Sequence, residues 1–349
     1  METQRVYIDD IQHPDDTAIA AAARLLQQGE IVAFPTETVY GLGANAFDPQ
    51  ACAKIYAAKG RPADNPLILH VCSLDMARSL ALEWPEAAER CARKFWPGPL
   101  TLVVRKRADI PDEVTGYLPT VGIRFPAHPV ALALIRAAGF PIAAPSANLS
   151  GKPSPTSGRH TWRDLQGKIP LILDAGSCIV GLESTVLDLT SAEPAILRPG
   201  GVTREQLAEV LGVVRVDGLE PWRIPKAPGM KYRHYAPLGE MYLFVGSREN
   251  IVQVIREEMR KWRVRGKKIG ILCTLESVSE LNHEWPDFMY AMGSQTRPAE
   301  VAANLFEGLR LCDERKIDVI LAEGVEESGL GLAIMNRLEK AAGHKLIRV

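Results

Sequence analysis

Between Val214 and Leu238 the chain loses hydrophobic periodicity and accumulates Pro221, Pro225, Pro228, Gly229 and Pro237. Such a run neither continues a helix nor extends a central strand, because proline has no N–H to donate and its φ is fixed. The 349 residues are therefore cut into two segments that each need a core of their own. Spans 1–211 and 240–349 have ordinary domain sizes, with 212–239 as linker. That linker is longer than a usual connection, which points to a flexible tether or a functional lid.

The two segments have different textures. In the first, short apolar, β-rich runs sit at 31–34, 67–72, 100–104, 121–124, 141–144, 171–174, 185–189 and 195–197. Helical periodicity separates only some of them, at 15–28, 50–58, 86–95, 130–138 and 204–210. Strands that are adjacent in places and split by helices in others predict an α+β domain with a twisted mixed sheet. The second segment alternates regularly. Strands at 241–245, 268–273, 319–322 and 345–349 and helices at 247–263, 299–312 and 331–342 predict a small α/β, Rossmann-like domain with a mainly parallel sheet.

Several function classes fall away early. The formal charge of −1 implies no strong global field for a bulk polyanion. It hides a surplus of six cations over residues 51–239, suited to a small anionic substrate. No apolar run approaches the ~20 residues of a membrane span, and Met1-Glu2-Thr3 opens no secretory signal, so a cytoplasmic address is expected. Six cysteines without a Cys-x-x-Cys pair predict reduced core thiols and no metal site. P-loop, Gly-x-Ser-x-Gly and His-Glu-x-x-His motifs are absent. His13, His128, His160, His283 and His344 have no ligand-like spacing and read as surface or helix-end residues.

The densest chemical cluster is Lys59-Gly-Arg61-Pro-Ala-Asp-Asn65-Pro-Leu-Ile-Leu-His70. Two cations flank a glycine on a proline-stiffened loop, an arrangement that meets a polyphosphate without reorganising; a solvated basic turn is the bland alternative. Further polar turns follow apolar strands at Pro35–Gly43, Pro145–Gly151, Gly181–Thr185 and Leu197–Gly201, while Arg124 ends another strand. The glycines at 41 and 43 make no dinucleotide fingerprint, since the third is missing. Each is only a turn; together they read as the rim of one cleft.

Taken in order, these segments resemble the threonylcarbamoyl-AMP synthases in their two-domain form, with a YrdC-like catalytic domain. The matching stretches are 35–43, Lys-Gly-Arg-Pro-x-x-Asn-Pro-Leu at 59–67, Trp-Pro-Gly-Pro-Leu-Thr at 96–101 and Gly-Ile-Arg-Phe-Pro at 122–126. They continue through Ala-Pro-Ser-Ala-Asn at 144–148, Glu-Ser-Thr-Val at 183–186, Leu-Arg-Pro-Gly at 197–200, 228–237 and the helix start at 329–337.

The resemblance implies synthesis of threonylcarbamoyl-adenylate from L-threonine, bicarbonate (or CO2) and ATP, for modification of the adenosine beside the anticodon in tRNA. It implies a threonine pocket of Thr38, His70, Arg124, Ala144 and Ser184. Arg61, Asn65, Thr120, Ser146, Arg198 and Tyr235 are implied as ATP contacts, with Lys59 and Arg61 at the reacting phosphate or carbamate. Mg²⁺ is expected with ATP, held mainly by phosphates because no carboxylate cluster is evident. The implied partner is a downstream tRNA threonylcarbamoyltransferase; direct tRNA contact is not required. Lys231, Tyr232, Arg233, His234 and Tyr235 are expected to close over the site as a lid. An RNA-binding regulatory protein and a protein-directed carbamoyltransferase stay open as alternatives.

Overall fold

A computed structural model describes residues 2–217 and 234–349. The chain divides into two compact units, residues 1–150 with 154–232 and residues 151–153 with 233–349. Among the described residues no helix is long and apolar enough to cross a membrane.

The first unit is built on an eleven-stranded sheet. Its strands are β1 (Gln4–Tyr7), β2 (Val32–Phe34), β3 (Gly41–Asn45), β4 (Ile68–His70), β5 (Leu100–Arg105), β6 (Thr120–Arg124), β7 (Ile142–Ala144), β8 (Leu171–Asp174), β9 (Thr185–Asp188), β10 (Ala195–Arg198) and β11 (Arg215–Val216). The order is β1-β8-β2-β3-β7-β4-β6-β5-β9-β10-β11, and pairings are parallel in some places and antiparallel in others, the mixed sheet expected.

Both faces are covered, which explains why the strands read as continuous apolar runs. Val32 and Phe34 join one core cluster with Leu171, Leu173 and Ile142, under helices Asp16–Gln27 and Pro129–Ala138. Their neighbours Ala33, Ile172 and Ala143 join the other, under helices Pro49–Lys59 and Glu86–Phe95. Side chains alternate faces along a strand, so a strand with two covered faces has no polar phase to show.

Three strands of this unit were not expected, each for a physical reason. β1 and β11 lie at the two edges and are too short and mixed to carry a period. β11 lies beyond the expected boundary at 211, with Arg215 and Val216 pairing in parallel with Ala195 and Ile196 of β10. β3 reads as a glycine turn. A Cβ on Gly43 would lie 2.6 Å from Ile142 Cγ2 and 2.8 Å from the Phe34 ring, so its glycines serve packing, not a ligand loop.

The second unit holds five strands, β12 (Glu240–Val245), β13 (Ile269–Cys273), β14 (Phe288–Ala291), β15 (Val319–Glu323) and β16 (Leu346–Arg348). They are all parallel. The order β14-β13-β15-β12-β16 reads 3-2-4-1-5 within the unit. The dinucleotide-binding fold has its fourth strand outside the first; here it lies between the second and the first, so the likeness stops at layering. The glycine turn at 329–331 answers to packing as well, because a Cβ on Gly331 would sit 1.8 Å from the Glu326 carbonyl oxygen.

Candidate active site

Helix Pro49–Lys59 starts on Asp48, which accepts from Gln50 and Ala51 N–H, and ends on Gly60 at φ +62°. Nothing lies within 4 Å of a Cβ built on Gly60, so it is there for its left-handed backbone, which turns the chain between the two cations. Lys59 is 3% exposed, and its ammonium donates to the carbonyl oxygens of Ser146 and Asn148 and to Asn148 Oδ1 at 3.3 Å. Ser146 Oγ donates to the same Oδ1 at 2.6 Å. Asn148, unassigned from sequence, thus joins Lys59 to Ser146; its signal was its place in Ala-Pro-Ser-Ala-Asn. Arg61 Nη2 donates to the carbonyls of Asn65 (3.3 Å) and Pro66 (3.1 Å), so the loop folds around its own cation.

The ladder register places a second group in one row. His70 of β4 is level with Arg124 of β6, Arg124 with Thr101 of β5, Thr101 with Val186 of β9, and Val186 with Arg198 of β10. Thr101 Oγ1 and Ser184 Oγ share a hydrogen bond of 2.8 Å. Arg198 donates from Nη2 to Ser184's carbonyl (3.0 Å) and Oγ (3.3 Å). Ala144 lies on β7, paired with Ile68. Thr38 Oγ1 hydrogen-bonds Thr36 Oγ1 at 2.9 Å in the turn after β2. Thr120 is at the opposite end of β6 from Arg124, paired with Arg105, roughly 13 Å along the strand at its usual rise.

Burial sets the charge states. His70 Nδ1 faces the Ile68 carbonyl at 3.1 Å and packs edge-on to Phe34. Burial, reinforced by Arg124, pushes its pKa down to about 3, so the imidazole is neutral. His128 precedes helix Pro129–Ala138 as a helix-end residue, yet it is buried, and burial lowers its pKa. His160 corrects the surface expectation outright: it is fully buried in helix Gly158–Leu165, its Nδ1 accepting from Thr156 N–H at 3.2 Å. All six cysteines are free, five of them buried. Among the described residues no three His, Cys, Asp or Glu side chains are placed to hold a metal ion.

Of the expected lid, Lys231, Tyr232 and Arg233 lie outside the described residues. Tyr235 belongs to the second unit, at φ +62°, its ring 5.2 Å from Phe306 and 5.8 Å from the Arg337 guanidinium.

Comparison with known proteins bears on both units. A family profile described as "Telomere recombination" matches residues 24–200, and one described as "Threonylcarbamoyl-AMP synthase, C-terminal domain" matches residues 202–343. The chain is 49% identical to the threonylcarbamoyl-AMP synthase of Pyrococcus abyssi, over 96% of this chain and 97% of that protein. It is 48% identical to that of Bacillus subtilis over the full length of both. The crystal structure of Pyrococcus abyssi Sua5 complexed with L-threonine matches at a TM-score of 0.94 and 47% identity, covering 99% of this chain and 100% of that one.

Proposed function

Because the chain belongs to the threonylcarbamoyl-AMP synthase family, we propose that its first unit condenses L-threonine, bicarbonate and ATP into threonylcarbamoyl-adenylate, releasing pyrophosphate and water. The observation that carries this reading is the row His70, Arg124, Thr101, Arg198, with Ser184 bonded to both Thr101 and Arg198. It sets a cation for a carboxylate beside short hydroxyl groups for a β-hydroxyl. The relative crystallised with L-threonine supports the same substrate here.

Thr38, His70, Arg124, Ala144 and Ser184 form the threonine subsite, with Arg124 taking the carboxylate and neutral His70 offering hydrogen bonds without added charge. Arg61, Asn65, Thr120, Ser146 and Arg198 serve the nucleotide. In the adenylation step a carbamate oxygen bonds to the α-phosphorus of ATP and the bond to the β-phosphate oxygen breaks. The nucleophile belongs to the substrate, so the protein need supply none. Lys59, Arg61 and Arg198 offset charge that builds on the phosphates. Lys59 arrives pre-oriented by its three oxygen partners. Mg²⁺ enters with ATP as part of that substrate, held by phosphates and water.

The product, a reactive mixed anhydride, passes to a tRNA threonylcarbamoyltransferase in the cytoplasm. Isothermal titration without RNA tests the substrate assignment: threonine and ATP should each bind, and a protein that binds neither overturns it.

A further inference from the structure

Arg124 has an acidic neighbour that no role above uses. Glu37 is 7% exposed and Arg124 is 4% exposed, and Glu37 Oε1 lies 2.7 Å from Arg124 Nη2. The two are close without being aligned: both Glu37 oxygens and Arg124 Nε and Nη2 are buried with no hydrogen-bond partner. Arg124 Nη1 is not among those sealed atoms. Glu37 thus holds the buried side of the guanidinium and leaves Nη1 as the open donor edge.

The carboxylate is delivered from a fixed backbone. Thr36 Oγ1 accepts from the N–H groups of Thr38 and Val39, both at 3.2 Å, and Glu37's own carbonyl accepts from Val180 N–H at 2.8 Å. The other ionisable groups that feel Glu37 are His128, whose Nδ1 is also buried without a partner, and Cys178, whose thiol pKa burial and Glu37 raise. A buried guanidinium with no counter-charge is costly, whereas a saturated one has nothing left for a substrate. A close but misaligned pair avoids both extremes: the cation is neutralised and held, and its donors stay unspent.

We propose that Glu37 is a positioning residue, which acts on substrate only through Arg124 by presenting that guanidinium to the carboxylate of the amino-acid substrate. This deepens the threonine reading and rests on it.

The test is a double-mutant cycle on the full chain, read as separate KM values for threonine and ATP. Glu37→Gln should raise the threonine KM about tenfold, as for loss of the counter-charge that holds a buried cation, and leave the ATP KM within about twofold. In an Arg124→Ala background the same change should do almost nothing. L-threoninamide, which lacks the carboxylate, should bind wild type and Glu37→Gln equally. Equal losses in both backgrounds, or parallel rises in both KM values, would overturn the role of Glu37. If Arg124→Ala alone leaves the threonine KM unchanged, the threonine assignment of Arg124 fails instead, a separate result.

Discussion

Arg198 and Ser184 are joined by three hydrogen bonds: Nη2 donates to the backbone carbonyl at 3.0 Å and to the hydroxyl at 3.3 Å, and Nε donates to the same carbonyl at 3.2 Å. On the proposed reading Arg198 serves ATP and Ser184 serves threonine, so one side chain spans both subsites. Arg198→Ala should therefore raise the KM for both substrates, by roughly 10–100-fold for ATP as a charged contact is lost, and less for threonine as Ser184 loosens. Steady-state kinetics with each substrate varied separately checks this; an ATP effect alone contradicts the linkage.

Lys59 tests whether its oxygen cage is structural as well as chemical. Lys59→Ala takes the ammonium donor from the carbonyls of Ser146 and Asn148, while Asn148 Oδ1 keeps Ser146 Oγ, and this should cost about 1–3 kcal/mol of stability besides abolishing turnover. Lys59→Arg should not restore activity, because a planar fork does not fit partners arranged around a point donor. Urea unfolding and turnover assays read the two effects independently.

Gly43 and Gly60 are both conspicuous in the sequence and do different work. Gly43→Ala drives a methyl group into Ile142 and Phe34 and should cost about 1–3 kcal/mol. Gly60→Asn has open space and a side chain that tolerates φ +62°, and should cost less than about 1 kcal/mol. Chemical denaturation of both variants decides; a Gly60→Asn loss as large as that of Gly43→Ala would mean Gly60 has a packing role after all.

His70 couples the site to acid stability. With its folded pKa near about 3 against 6.5 for an unperturbed imidazole, the unfolded chain binds a proton that the folded chain refuses between those values. Stability therefore falls as pH drops through that window and is indifferent to His70 above it. His70→Gln should flatten the decline in melting temperature below pH 6.5, part of the slope persisting through His128, whose pKa is lowered in the same direction. Parallel curves for wild type and variant would contradict a neutral buried His70.

The mixed sheet and the parallel second unit were legible because doubly covered strands are long apolar runs and strands alternating with helices run parallel. β3 was not, since Gly41 and Gly43 carry no apolar signal although they pack against Phe34. In the site, Lys59 and Arg61 stood out as cations flanking a glycine on a proline-stiffened loop, and Arg124 as a charge ending an apolar strand. Asn148, Thr101 and Glu37 did not, because their roles depend on partners 83 to 89 positions away: Lys59 lies 89 residues from Asn148, Glu37 lies 87 from Arg124 and Thr101 lies 83 from Ser184. The parallel order of the second unit was equally hidden, since alternation fixes direction but not which strands are neighbours.

The most direct measurement is mass spectrometry of the reaction mixture from purified protein with threonine, bicarbonate and ATP, each omitted in turn. Threonylcarbamoyl-adenylate should form only when all three are present, with pyrophosphate in equal amount. Absence of the adenylate from the complete mixture, or its formation without bicarbonate, would contradict the account.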